Sequence, residues 1–150
     1  KALCQPNGVL LLINDDVALA TQVGADGVHL GVDDVALKTA RAQLGPKAII
    51  GSSCYNDTTL ALKAVTDGAS YVAFGAFFAS ATKPQARVAQ LDLFAQTAHL
   101  QVPRVGIGGI DASNAMHLKT AGADAVAVLG AIWDSPDPEN TARAITRIFD

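Results

Sequence analysis

Asn14-Asp15-Asp16 and Gly31-Val32-Asp33-Asp34 place carboxylates directly after two short apolar runs, 9–13 and 27–30. If those runs are neighbouring strands, Asp15 and Asp34 converge on one hard cation. Magnesium suits such a site, taking one or two carboxylates completed by water and substrate phosphates. Asp also caps helices, so Asp15 or Asp16 and Asp34 read equally as N-caps of the next helices. Val105-Gly106-Ile107-Gly108-Gly109-Ile110 and Val128-Leu129-Gly130-Ala131-Ile132 each put glycine between an apolar run and a helical stretch. Backbone N–H groups at such places approach an anion at the positive end of a helix. Either one alone is first of all a tight turn; the two after consecutive final strands point to a phosphate site. Ser80-Ala81-Thr82-Lys83 adds two hydroxyls and a cation suited to a further anion. His29 stands near a strand end, where a hydrogen-bonded structural histidine is the commoner case. His99 and His117 fall on helical stretches and read as surface residues, and Phe77, Phe78 and Trp133 as packing residues. No Ser-His-Asp order or Cys-His pairing emerges, and Cys4 and Cys54 read as inert.

Positioning these groups requires strands that end side by side. Apolar runs at 9–13, 27–30, 48–51, 71–74, 104–107 and 125–129 alternate with helical stretches near 17–22, 34–44, 57–67, 91–99, 112–121 and 138–148. That alternation predicts an α/β fold, a parallel sheet with crossover helices. Gly24-Ala25-Asp26, Gly68-Ala69-Ser70 and Gly122-Ala123-Asp124 recur where a helix turns into a strand, and Pro46 and Pro103 mark other helix exits. Polar or glycine-rich residues follow nearly every strand, which favours a (β/α)8 TIM barrel over a doubly wound sheet, whose ligand contacts gather at one switch point. The chain is expected to be a single domain over residues 1–150, a partial barrel supplying about six of the eight βα units.

Composition narrows the function classes. Half of the 150 residues are hydrophobic and 17% are charged, enough apolar surface to bury a core. A net charge of −3 gives no general attraction for nucleic acid or anionic lipid. No apolar run approaches the roughly 20 residues of a membrane-spanning helix. Two cysteines without metal-ligand spacing, and no leader-like start, fit a reducing cytoplasm. The chain begins at Lys1 rather than Met, which raises the expectation that it is a piece of something longer.

Five ordered blocks resemble thiamine phosphate synthase: Leu12-Ile13-Asn14-Asp15; Gly24-Ala25-Asp26-Gly27-Val28-His29-Leu30-Gly31 with Asp34; Ile50-Gly51 with Ser53; Ser80 with Thr82-Lys83; and Gly106-Ile107-Gly108-Gly109-Ile110. They cover nearly the whole chain. The resemblance implies a TIM barrel that joins hydroxymethylpyrimidine diphosphate to a thiazole phosphate with Mg2+ and releases diphosphate. On the family pattern Asn14 contacts the pyrimidine diphosphate, Asp15 and Asp34 hold magnesium, and Ser53 and Lys83 complete that site. Asn14, Ser53 and Lys83 thereby carry the catalytic roles. Ser80, Thr82, Gly108, Gly109, Leu129 and Gly130 fall where the family binds the thiazole phosphate. Magnesium and Lys83 would stabilise the departing diphosphate, while the electron-rich aminopyrimidine supports a methylene cation awaiting the thiazole nitrogen.

This sequence departs from the family pattern at Val32, where glutamine is usual, at Ala79-Ser80, which replaces Pro-Thr, and at Gly130, which replaces a serine. The family's first two strands, with a Gln-x-Arg-x-Lys block, have no counterpart, so the resemblance implies strands 3–8 of the barrel. An upstream segment of about 50 residues, or self-association through open barrel edges, is therefore expected, and the isolated chain is expected to be inactive. Two rival functions share the barrel: a thiazole tautomerase-like enzyme, and a non-catalytic module that binds a thiazole or thiamine phosphate. The expected partners are small-molecule substrates, with no nucleic acid and no membrane.

Overall fold

In a computed structural model of the protein, which describes residues 1–79 and 88–150, six strands form one sheet. Ser80, Thr82 and Lys83 lie outside the described residues. The strands are β1 (Leu12–Asn14), β2 (Gly27–Leu30), β3 (Ile49–Tyr55), β4 (Tyr71–Gly75), β5 (Arg104–Ile107) and β6 (Ala125–Ala127). Each pairs in parallel with the next, in the order β1-β2-β3-β4-β5-β6. A doubly wound sheet reverses its strand order at a switch point; this one does not, and winds as a barrel wall does. Among the described residues β1 and β6 are edges, so the sheet is a half-barrel of six strands rather than a closed barrel of eight.

Between the strands lie α1 (Val17–Val23), α2 (Leu37–Leu44), α3 (Thr58–Thr66), α4 (Leu93–Gln96), α5 (Ala115–Ala121) and α6 (Gly130–Trp133), with α7 (Pro138–Phe149) last. Helices and sheet share two buried clusters. Val28, Leu30 and Ile50 pack with Val17, Ala20 and Ala40, and Val72 and Phe74 pack with Ala61, Phe94 and Leu118. Side chains alternate along a strand, so His29, Gly51, Ser53 and Tyr71 belong to the opposite, concave face.

The Gly-Ala-Asp/Ser repeat proves to be a strand-pairing clamp. Its glycines Gly24, Gly68 and Gly122 all have positive φ, which lets the chain leave the helix sharply. The residue two positions on then grips the preceding strand twice. Asp26 N–H donates to Leu11 O, and its Oδ2 accepts from Leu11 N–H at 2.7 Å. Ser70 does the same to Ile50, and Asp124 to Arg104. The repeat therefore joins β1 to β2, β3 to β4 and β5 to β6. Asp26→Ala is expected to lower stability by about 1.5 kcal/mol, the worth of one hydrogen bond to a charged acceptor, readable by urea unfolding.

Element limits shift where the chain lacks a partner or a cap. The first strand begins at Leu12 rather than residue 9; Val9 and Leu10 are exposed beside the sheet edge. Helix α2 starts at Leu37 rather than residue 34, because Asp34 turns back to Gly31. The stretch expected to be helical at 91–99 divides into α4 and a 3-10 turn at Ala98–Leu100. Phe77 and Phe78 pack as expected, Phe77 stacking on Phe94 at 5.2 Å. Trp133 does not: it stands 73% exposed on the single turn of α6, beside the edge strand.

Candidate active site

Strand register sets Asn14, His29, Gly51 and Tyr71 in one row across β1 to β4. The Tyr71 ring lies over Gly51, where a Cβ would come within 2.0 Å of its Cζ. Only glycine leaves the ring that path. Tyr71 Oη lies 2.9 Å from His29 Nδ1, and His29 Nε2 lies 2.9 Å from Ser53 Oγ. The two ring planes are inclined by 28°, with centroids 5.6 Å apart. Burial pushes the His29 pKa down, opposed by the charge of Asp34, and burial pushes the Tyr71 phenol up, so it stays protonated. His29 is thus the hydrogen-bonded histidine its sequence context suggests. Tyr71 is a residue that sequence reasoning missed, having entered only as the first residue of a strand; its signal was a glycine at the matching place on β3.

The two roles open to the carboxylates separate here. Asp16 is the N-cap of α1, its Oδ1 accepting from Leu19 N–H at 2.8 Å. Asp15 adopts φ 64°, a left-handed conformation that Asp tolerates better than most residues. Its N–H donates to His29 O at 2.8 Å, and its Oδ2 accepts from Asn14 Nδ2 at 2.6 Å. Asp34 caps no helix either, since α2 has Ala36 at its N-cap; its Oδ2 accepts from Gly31 N–H at 2.6 Å. Both carboxylates therefore sit after the ends of adjacent strands with helix capping assigned elsewhere. Among the described residues no three His, Cys, Asp or Glu side chains gather as a ready cage. Two carboxylates after adjacent strand ends are nonetheless a donor set that fits magnesium, which takes one or two carboxylates and keeps waters or other oxygens as its remaining ligands.

Ser53 shares its strand end with a bulge: the pairing of β3 with β4 slips between Ser53 and Tyr55, and Tyr55 takes φ 50°. Tyr55 is half exposed, and its hydroxyl stands 3.9 Å from where a Cβ on Gly31 would be. Sequence reasoning did not find it either; a single-residue bulge leaves no mark in an apolar pattern. Cys54 inside the bulge is buried, and burial pushes its thiol up to about 11, which leaves it inert as expected.

The glycine pair after β5 has a packing reason of its own. A Cβ on Gly109 would stand 2.4 Å from Ala79 O and 2.7 Å from Phe78 O. The loop after β4 is laced to it, with Phe77 N–H donating to Ile107 O and Phe78 N–H to Gly108 O, both at 3.1 Å. Gly109 is not itself at a helix start, a correction to the sequence expectation: Asp111 holds Ser113 and Asn114 in a turn, and α5 begins only at Ala115. Gly130 does open a helix, α6, with Leu129 as N-cap. The Asp134 carboxylate lies 3.2 Å from where a Cβ on Gly130 would be.

A family model described as thiamine monophosphate synthase matches residues 1–132. The thiamine-phosphate synthase of Methylobacillus flagellatus is 53% identical over 148 residues, 99% of this chain and 71% of that protein. That of Chromobacterium violaceum is 52% identical over 149 residues, 99% of this chain and 72% of its own length. Among solved structures, a thiamine phosphate pyrophosphorylase from Pyrococcus furiosus superposes with a TM-score of 0.88 at 32% identity, covering 99% of this chain and 71% of that one. A 3-hexulose-6-phosphate synthase superposes with a TM-score of 0.72 at 20% identity, a likeness of fold alone.

Proposed function

The chain belongs to the thiamine monophosphate synthase family, and from that premise we propose that it joins hydroxymethylpyrimidine diphosphate to a thiazole phosphate and releases diphosphate. The relatives' shared name supports a transferase of this type. The observation that carries the proposal is the pair Asp15 and Asp34, held after adjacent strands and capping neither following helix: Asp16 caps α1, and the N-cap position of α2 is Ala36, which offers no side-chain bond. Asp15 and Asp34 would hold magnesium, which when bound supplies positive charge for the departing diphosphate. Asn14 steadies Asp15 through its amide and, on the strength of the family resemblance, contacts the pyrimidine diphosphate. Ser53 offers a hydroxyl to the same anion. Lys83 adds its cation on the strength of the family resemblance, as do Ser80 and Thr82 toward the thiazole phosphate. For that phosphate the backbone beside Gly108-Gly109 and Leu129-Gly130 remains the proposed contact, at the ends of neighbouring strands.

The test is magnesium-dependent diphosphate release from the pyrimidine substrate, with and without the thiazole phosphate. Release with formation of thiamine phosphate is the expected result. Isomerisation of a thiazole substrate without diphosphate release would favour the tautomerase-like alternative. Thiazole phosphate binding without either reaction would mark a non-catalytic module.

A further inference from the structure

Ser53 is proposed above as a substrate contact, but a hydroxyl helps an anion only if its proton points that way. We infer that Tyr71 and His29 act as positioning residues that fix the polarity of the Ser53 hydroxyl, leaving its hydrogen free to donate to the pyrimidine diphosphate; this rests on the function proposed above.

Tyr71 Oη, His29 Nδ1, His29 Nε2 and Ser53 Oγ form a continuous chain with both links at 2.9 Å. In a neutral imidazole one nitrogen donates and the other accepts, so the two links must run in the same direction. Either Tyr71 donates to Nδ1 and Nε2–H donates to Ser53, or every arrow reverses and Ser53 spends its hydrogen on the imidazole. Phenol chemistry decides between them. The oxygen lone pair of a phenol is drawn into its ring, which makes Tyr71 a better donor than acceptor, whereas the aliphatic Ser53 oxygen accepts well. The forward direction therefore prevails. The Gly51 gap admits the phenol to this place, beside the His29 ring. Ser53 accepts from His29 and keeps its own hydrogen for a ligand, and each bond polarises the next.

Two measurements test this. In the free protein, long-range 15N–1H correlation of the histidine side chains reads the tautomer directly. His29 is expected as the Nε2–H neutral form, shifting toward Nδ1–H in Tyr71→Phe, which keeps the ring over Gly51 and removes the donor. A wild-type His29 in the Nδ1–H form overturns the inference. In the enzyme assay, Ser53→Ala is expected to lower kcat/KM for the pyrimidine diphosphate at least roughly tenfold, and Tyr71→Phe about fivefold. Neither moves KM for the thiazole phosphate. The double variant is expected to be no worse than Ser53→Ala alone, because Tyr71 acts through Ser53. A merely structural Tyr71 would add its full effect in the Ser53→Ala background, and that result overturns the inference. A wild-type protein with the Nε2–H imidazole that releases no diphosphate overturns the proposed activity, and with it the destination of the Ser53 hydrogen.

Discussion

Asp34→Asn is expected to reduce magnesium-supported diphosphate release by at least roughly tenfold while leaving the fold in place. The substitution separates the two jobs the carboxylate does. Its Oδ2 accepts from Gly31 N–H at 2.6 Å, and an asparagine carbonyl oxygen can accept the same bond, so the turn after β2 persists. What disappears is the negative charge, and with it most of the attraction for a divalent cation. His29 supplies a second readout, because the charge of Asp34 raises its pKa against the lowering effect of burial. Removing that charge moves the His29 pKa further down, which NMR titration measures in the free protein. Asp16→Asn is the matched control: Asp16 caps α1 through a side-chain oxygen, and asparagine caps as well as aspartate, so turnover should hold. Equal turnover in Asp34→Asn and wild type over a magnesium titration, with the His29 shift present, would return Asp34 to a purely local role in its turn.

What the sequence makes visible are the features with a period or a fixed order. Strands 27–30 and 104–107 coincide with β2 and β5 because each apolar run is bounded by residues that turn the chain. The concave row is hidden for the opposite reason. His29, Gly51 and Tyr71 are 20 or more residues apart from one another in sequence, and only strand register aligns them. Arg41 is hidden in the same way. It reads as one more polar residue on an amphipathic helix, yet its guanidinium donates to the carbonyls of Gly45, Ala48 and Gly68 and to Ser70 Oγ. It thereby ties the end of α2 to the starts of β3 and β4. The Asp15 and Asp16 pair shows a finer limit. Adjacent carboxylates are interchangeable as letters; in the fold Asp15, in a left-handed conformation, bonds β2 through its backbone N–H and Asn14 through its carboxylate, while the carboxylate of Asp16 caps the helix.

Gly51→Ala should harm stability and activity together, through one collision. A methyl there would lie 2.0 Å from Tyr71 Cζ and 2.3 Å from its hydroxyl oxygen, far inside contact distance. Gly51 is buried in β3 with β2 and β4 paired on either side, so the backbone cannot retreat, and the phenol ring must swing out. That costs about 1–3 kcal/mol for overpacking, together with roughly 1 kcal/mol for the lost bond to His29. The expected total is about 3 kcal/mol in urea unfolding. Activity falls because His29 Nδ1 loses its donor, the imidazole is free to take the other tautomer, and the Ser53 hydroxyl turns inward. Adding Tyr71→Leu separates the two consequences. The smaller, more pliable side chain relieves the collision and recovers part of the stability, but it supplies no hydroxyl, so kcat/KM for the pyrimidine diphosphate stays low. Recovery of both in the double variant would mean that the concave row matters to this enzyme only as packing.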